Sequence, residues 1–290
     1  MIGVFLRAIR IHQWLKNLLI FAPLVLGHYW DDNARVLAAV LAFLAFSLMA
    51  SAFYIINDIL DIEADRAHPE KCKRPFAAGE LRIGTGYVLF AILLAASLAL
   101  AVLISHDFAL ILGAYAFTAV AYSSFLKKIE LLDVAVLAGL YTLRIIAGAV
   151  AIDATISFWL AAFSIFIFFS LAMLKRFSEL YGLQERDETR SIGRGYHTSD
   201  LNALSIMGVA SGYCAVLIMA LYINDPTVTR LYREPAMLWV ICPAVLYWIS
   251  SLWFSAQRGK MHEDPIVYAL KDRTSYGIAV ISVAGLWLAL

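Results

Sequence analysis

The residues of this chain best suited to chemistry lie in one short run, SAFYIINDILDIEADRAHPEKCKRP, which holds Asn57, Asp58, Asp61 and Asp65. At about 100° per residue on an α-helix, these four side chains share an arc of about 100°. Three carboxylates on one face at a membrane edge repel one another unless a cation binds between them. Hard, oxygen-rich and close to water, such a site suits Mg²⁺ bridging the phosphates of a substrate. The spacing therefore predicts Asp58, Asp61 and Asp65 as metal ligands, Asp58 and Asp61 as catalytic, and Asn57 as a substrate contact. The plainer alternative is a solvated acidic cap, but Ile59, Leu60 and Ile62 occupy other directions from the acids. Just downstream stand His68, Lys71, Lys73 and Arg74. Cations so close to the acids either neutralise them or hold outer phosphate oxygens, and Lys71 and Arg74 are preferred to His68 for that task.

Two further polar clusters interrupt the apolar chain. One reads Lys175, Arg176, Glu179, then Glu185, Arg186, Asp187 and Arg190. Lys175 and Glu179 are i,i+4 and Arg176 and Glu179 are i,i+3, so the three are expected to face one cleft as catalytic residues. A largely cationic site suits phosphates that carry no metal of their own; the alternative is a basic loop with intrahelical ion pairs. The other cluster holds Tyr122, Ser123, Lys127, Lys128 and Asp133, with Arg144 further along. An arginine inside an apolar span costs roughly 2.5–3.5 kcal/mol on the milder insertion scale and is normally paired or lines a wet cavity. Asp133, three helical turns earlier, shares its face. Spacing alone leaves open whether Arg144 touches substrate or pins helices together.

The elements that must position these groups follow from composition. The 290 residues are 62% hydrophobic and 16% charged, which excludes an ordinary soluble globule. Apolar windows long enough to cross a bilayer begin near residues 17, 34, 84, 108, 132, 156, 200, 235 and 276, so the expected fold is all-α and polytopic, with about nine spans. The first and last windows are the weakest. Residues 4–16 read as an amphipathic helix on the membrane surface, with a cleavable signal peptide as the rival. If the count is nine, 19 Lys and Arg fall on one side and three on the other, and the basic side is cytoplasmic by the positive-inside rule. The net charge of +1 gives no reason to expect nucleic acid. Cys72, Cys214 and Cys242 have no metal-ligand spacing. Without a linker or low-complexity tract, residues 1–290 read as a single domain; a weak echo between the polar extensions at 57–75 and 175–196 hints at two related halves.

The run Asn57-Asp58-x-x-Asp61-x-x-x-Asp65 resembles the first Asp-rich motif of the UbiA superfamily of intramembrane prenyltransferases, and the nine-span layout is similar to theirs. More closely, IHQWLKNLLIFAPL, NDILDIEADRAHPEKCKRP, YSSFLKKIELLDVAVLAGLYTLRIIAGA, KRFSEL and DPIVYALKD resemble the decaprenyl-phosphate phosphoribosyltransferase branch. The resemblance implies an Mg²⁺-dependent transfer of 5-phosphoribosyl from phosphoribosyl pyrophosphate (PRPP) to a polyprenyl phosphate, in cell-envelope arabinan precursor synthesis at a bacterial inner membrane, with the active site on the cytoplasmic side. Most members carry a second Asp-rich motif where this chain has Lys175, Arg176 and Glu179. On this reading Lys16, Asn57, Lys71, Arg74, Tyr122, Lys127, Asp133, Arg144 and Arg186 contact substrate. Two alternatives remain. The acid face alone fits prenyl transfer to an aromatic or other acceptor equally well, and a transporter would use the same acids as a pathway, although it would spread ionisable groups through several spans.

Overall fold

The computed structural model describes residues 2–67, 71–189, 194–226, 230–261, 264–269 and 271–290. All of its elements are helical, and seven helices are long and apolar enough to cross a membrane: Asn33–Leu60, Ile83–Ile104, His106–Ser124, Leu132–Ala151, Phe158–Gln184, Thr198–Ile223 and Pro235–Gln257. Two shorter apolar helices, Ile11–Leu26 and Arg273–Ala289, stand where the first and last spans are expected. Large apolar side chains such as Leu103 and Phe117 are exposed, each at 77%, an outer surface that suits lipid rather than water.

The chain forms two compact units, Met1–Val120 with Leu143–Ile156, and Ala121–Thr142 with Ser157–Leu290. In the first, α1 (Ile2–Ala8) leads into a 3₁₀ segment (Ile11–Phe21) and α2 (Ala22–Leu26). A single amphipathic helix over 4–16 is therefore replaced by two pieces that meet at Arg10. That residue has a left-handed backbone, φ 50°, which no L side chain favours and which local bonds must hold. Next comes α3 (Asn33–Leu60), started by Asp32, whose carboxylate accepts from the N–H groups of Ala34 and Arg35 at 3.0 and 3.2 Å. Its buried face is rich in small residues, Ala39, Ala42, Ala45 and Ala52 among them, which lets neighbouring backbones approach closely. Against it lies α5 (Ile83–Ile104), where Ser97 Oγ donates to the Ala45 carbonyl at 2.7 Å. Ala8, Ala52, Ile55, Ile59 and Phe76 form one core cluster, tying α1 to the acidic end of α3.

The second unit is organised around α8 (Phe158–Gln184), capped by Ser157, and α9 (Leu201–Ile223). Gly208 of α9 allows the Trp253 ring to close in, since a Cβ there would stand 2.2 Å from the indole. Trp253 Nε1 in turn donates to Ser170 Oγ at 3.3 Å on α8. Two helices belong partly to each unit: α6 (His106–Ser124) and α7 (Leu132–Ala151).

Candidate active site

In the first unit the acids stand where α3 ends. The helix breaks at Asp61 (φ −95°, ψ 12°) and resumes as α4 (Ile62–Ala67), with the Asp61 and Asp65 N–H groups still reaching back one turn. Asp58 and Asp65, two turns apart, are both buried at 2% exposure, whereas Asp61 is exposed. A buried carboxylate requires a compensating charge. Arg74 supplies one: its Nη1 lies 3.2 Å from Asp58 Oδ1 and 2.7 Å from Asp65 Oδ2. Arg10 supplies another, with Nη2 2.5 Å from Asp58 Oδ1 and its guanidinium 4.9 Å from the centre of the Tyr54 ring. One cationic nitrogen thus already sits between two carboxylates, the position a bound cation requires. Among the described residues no three His, Cys, Asp or Glu side chains converge on a point. The expected trio of ligands is thereby reduced, since Asp61 stands exposed at the helix break, and the all-oxygen pair Asp58 and Asp65 fits a hard divalent cation whose remaining ligands are water and substrate phosphate, the usual arrangement for Mg²⁺.

Around this pair, Asn57 and Lys16 are half-buried and Lys71 is exposed on a short 3₁₀ turn, Lys71–Lys73. His68 lies outside the described residues, as does Arg190. Nothing in the sequence marks Arg10 for Asp58, because a left-handed turn brings it there. A polar stripe on α3, Ser47, Ser51, Tyr54 and Asp58, was the signal that something polar docks there.

Arg144, on α7, donates from Nε to Asn17 Oδ1 at 2.8 Å and from Nη2 to the Tyr115 hydroxyl at 3.0 Å. Asn17 is itself buried and donates to Ser47 at 3.0 Å. Arg144 thereby pins the N-terminal segment, and Gly148 one turn on lets Ile20 pass so close that a Cβ would meet its carbonyl oxygen at 2.0 Å.

The second unit holds the other charged cluster. Asp133, completely buried at the start of α7, accepts from the Tyr122 hydroxyl at 2.7 Å, from Arg176 Nε at 2.5 Å and from Arg194 Nη1 at 3.5 Å. Arg176 also donates to Glu179, whose carboxylate is partly exposed and lies 3.6 Å from Arg194 Nε. Two carboxylates and two guanidiniums balance here, a mixed site rather than a purely cationic one. Nearby, the Tyr196 hydroxyl accepts from the Leu131 N–H at 2.9 Å, and burial pushes the Tyr196 phenol above its ordinary pKa. Of the expected trio Lys175, Arg176 and Glu179, Arg176 and Glu179 pair with each other, whereas Lys175 Nζ donates to Asp264 Oδ2 at 2.7 Å. Arg186, two residues past the end of α8, is exposed and donates from Nε to the Gly182 carbonyl at 2.9 Å. Lys127 is half-buried on the 3₁₀ turn Leu126–Lys128.

Comparison with known proteins places this architecture. The chain is 41% identical over 99% of its length to an uncharacterized protein y4nM of Sinorhizobium fredii, but spans only 56% of that relative. It is 35% identical to the nodulation protein NoeC of Azorhizobium caulinodans, covering 99% of this chain and 92% of that one. A decaprenyl-phosphate phosphoribosyltransferase of Mycobacterium tuberculosis is 40% identical over 186 residues, 62% of this chain and 61% of that one. In fold, a solved UbiA homolog from Archaeoglobus fulgidus bound to GPP and Mg²⁺ superimposes with a TM-score of 0.71 at 19% identity, covering 99% of this chain and 98% of that one. The profile of the UbiA prenyltransferase family matches residues 18–267, and the chain belongs to that family.

Proposed function

We propose that the protein transfers a 5-phosphoribosyl group from PRPP to a polyprenyl phosphate and releases pyrophosphate. The observation that carries this reading is the mixed cluster of the second unit, where Arg176, buried between Asp133 and Glu179, takes the place of a second acid-only metal site. The likeness to phosphoribosyltransferases over 62% of the chain supports it. In the reaction the anomeric C–O bond to pyrophosphate breaks, and a phosphate oxygen of the acceptor forms the new bond. An acceptor phosphate is already anionic at neutral pH, so it needs positioning more than a base.

Asp58 and Asp65 would hold Mg²⁺, which as a Lewis acid and template would stabilise charge on a departing pyrophosphate. Arg74, between the same carboxylates, is placed to turn a guanidinium toward phosphate oxygens. Glu179, partly exposed and already fixed by two guanidiniums, keeps acceptor capacity for a hydroxyl donor. Apolar outer surfaces suit the polyprenyl tail, and the reaction is assigned to the cytoplasmic side of a bacterial inner membrane on the charge distribution of the loops.

Purified protein with Mg²⁺ should move label from PRPP to polyprenyl phosphate and release pyrophosphate. Consumption of prenyl diphosphate with PRPP ignored would replace this reading with prenyl transfer. The acid pair supports that second reading as well, since Asp58 and Asp65 do not distinguish a diphosphate bearing ribose from one bearing a prenyl chain.

A further inference from the structure

Ser47, Ser51, Tyr54 and Asp58 recur along α3 at intervals of four, three and four residues and so form one stripe. Each takes a residue of the N-terminal segment. Ser47 receives Asn17, and Ser51 receives the Trp14 indole, Nε1 to Oγ 2.9 Å. Ser51 Oγ also donates to the Ile9 carbonyl at 2.7 Å, fixing the peptide that leads into Arg10. The chain then turns left-handed, and the Arg10 guanidinium arrives over Tyr54 and on Asp58. Backbone strain persists where its surroundings over-determine it, and here bonds within the segment, Arg10 N–H to the Arg7 carbonyl at 3.2 Å and Gln13 N–H to the Arg10 carbonyl at 2.8 Å, are joined by contacts from one helix face.

We infer that Arg10 is a second resident counter-ion of the acid site beside Arg74, presented to Asp58 by the positioning residues Ser51 and Trp14, and that it gives up this carboxylate to a divalent cation and takes up the phosphate oxygens arriving with it. A guanidinium and a metal ion repel one another at a shared oxygen. The planar set of donors then matches phosphate. The inference rests on the acid pair holding a cation with a diphosphate, whichever group that diphosphate carries.

The test uses the full chain in detergent, with Mn²⁺ as the probe and its free concentration read from its electron paramagnetic resonance signal. Relative to wild type, Arg10→Ala should bind Mn²⁺ roughly tenfold more tightly in the absence of phosphate, the worth of one competing charge-assisted hydrogen bond. In the presence of Mn²⁺ it should bind inorganic pyrophosphate roughly tenfold more weakly. Ser51→Ala and Trp14→Phe should shift both affinities in the same directions by less. The double variant Arg10→Ala with Ser51→Ala should go no further than Arg10→Ala, because Ser51 acts through Arg10. A merely structural Ser51 would lower thermal stability and leave both affinities alone, overturning its positioning role, and Trp14→Phe gives the answer if Ser51→Ala does not fold. Wild type that binds no Mn²⁺ would overturn the metal reading and this inference together. Wild type that binds Mn²⁺ with Arg10→Ala unchanged would overturn this inference alone.

Discussion

Asp133→Asn keeps the shape of the side chain and removes the charge on which Arg176 rests. Asp133 is 0% exposed and Arg176 1%, so neither is screened by water. Breaking one partner of a buried ion pair costs about 3–5 kcal/mol, chiefly because the other charge is stranded. Arg176 keeps Glu179, which places the expected loss near the lower end, about 3 kcal/mol, or a fall in the unfolding midpoint of roughly 6–12 °C. Thermal unfolding of the purified full chain in detergent, followed by tryptophan fluorescence, measures it directly. The double variant Asp133→Asn with Arg176→Gln should be less damaged than Asp133→Asn alone, since it buries no uncompensated guanidinium. A single variant within about 2 °C of wild type, less than the shift from one kcal/mol, would refute the reasoning. So would a double variant whose loss is the sum of the two single losses.

Asp58→Asn should abolish turnover while leaving membrane insertion and expression intact, and excess EDTA should do the same to wild type; activity surviving both would remove a metal from the mechanism. Gly148→Ala should destabilise the first unit by at least about 1–3 kcal/mol through overpacking, because the added carbon meets a backbone carbonyl that cannot swing aside; this is measured as lost thermal stability. Lys175→Ala should cost under about 1 kcal/mol in stability, its pair with Asp264 being partly exposed. If Lys175 also contacts a substrate phosphate, that variant should raise KM roughly tenfold or more; an unchanged KM assigns it to tethering the Asp264 loop.

The long spans were legible in the sequence because a helix that must satisfy its own backbone in lipid declares itself by about 20 consecutive apolar residues. The helical spacing groups Asp58, Asp61 and Asp65 on one face, but it carries no sign of the break at Asp61 that leaves this residue exposed while Asp58 and Asp65 are buried. What the spacing could not reveal lies across the chain. The i,i+4 rule named Glu179 as a neighbour of Lys175, but Asp264, 89 residues away, holds that ammonium. Asp133 matched Arg144 in phase along α7, yet Arg144 bonds Asn17, 127 residues earlier in sequence. Arg10 carries no sequence signal that would single it out, because nothing in local propensity favours a left-handed arginine. Its conformation follows from Ser51 and Asp58, which the tail meets only once folded.

The 3₁₀ segment also changes how far a short stretch of chain can reach. Ile11–Leu26 has only 16 residues, and as an ideal α-helix it would extend about 24 Å at about 1.5 Å per residue, short of a hydrocarbon core of about 30 Å. Eleven of those residues are 3₁₀, which rises about 2.0 Å per residue, and the same 16 residues then extend about 29–30 Å. By winding more tightly the segment gains roughly the length that its residue count lacks. The other short apolar helix, Arg273–Ala289, is α-helical throughout its 17 residues and reaches only about 25 Å. Any crossing there would require thinning of the bilayer or snorkelling of flanking residues, so the two ends of this chain would meet the membrane thickness by different means.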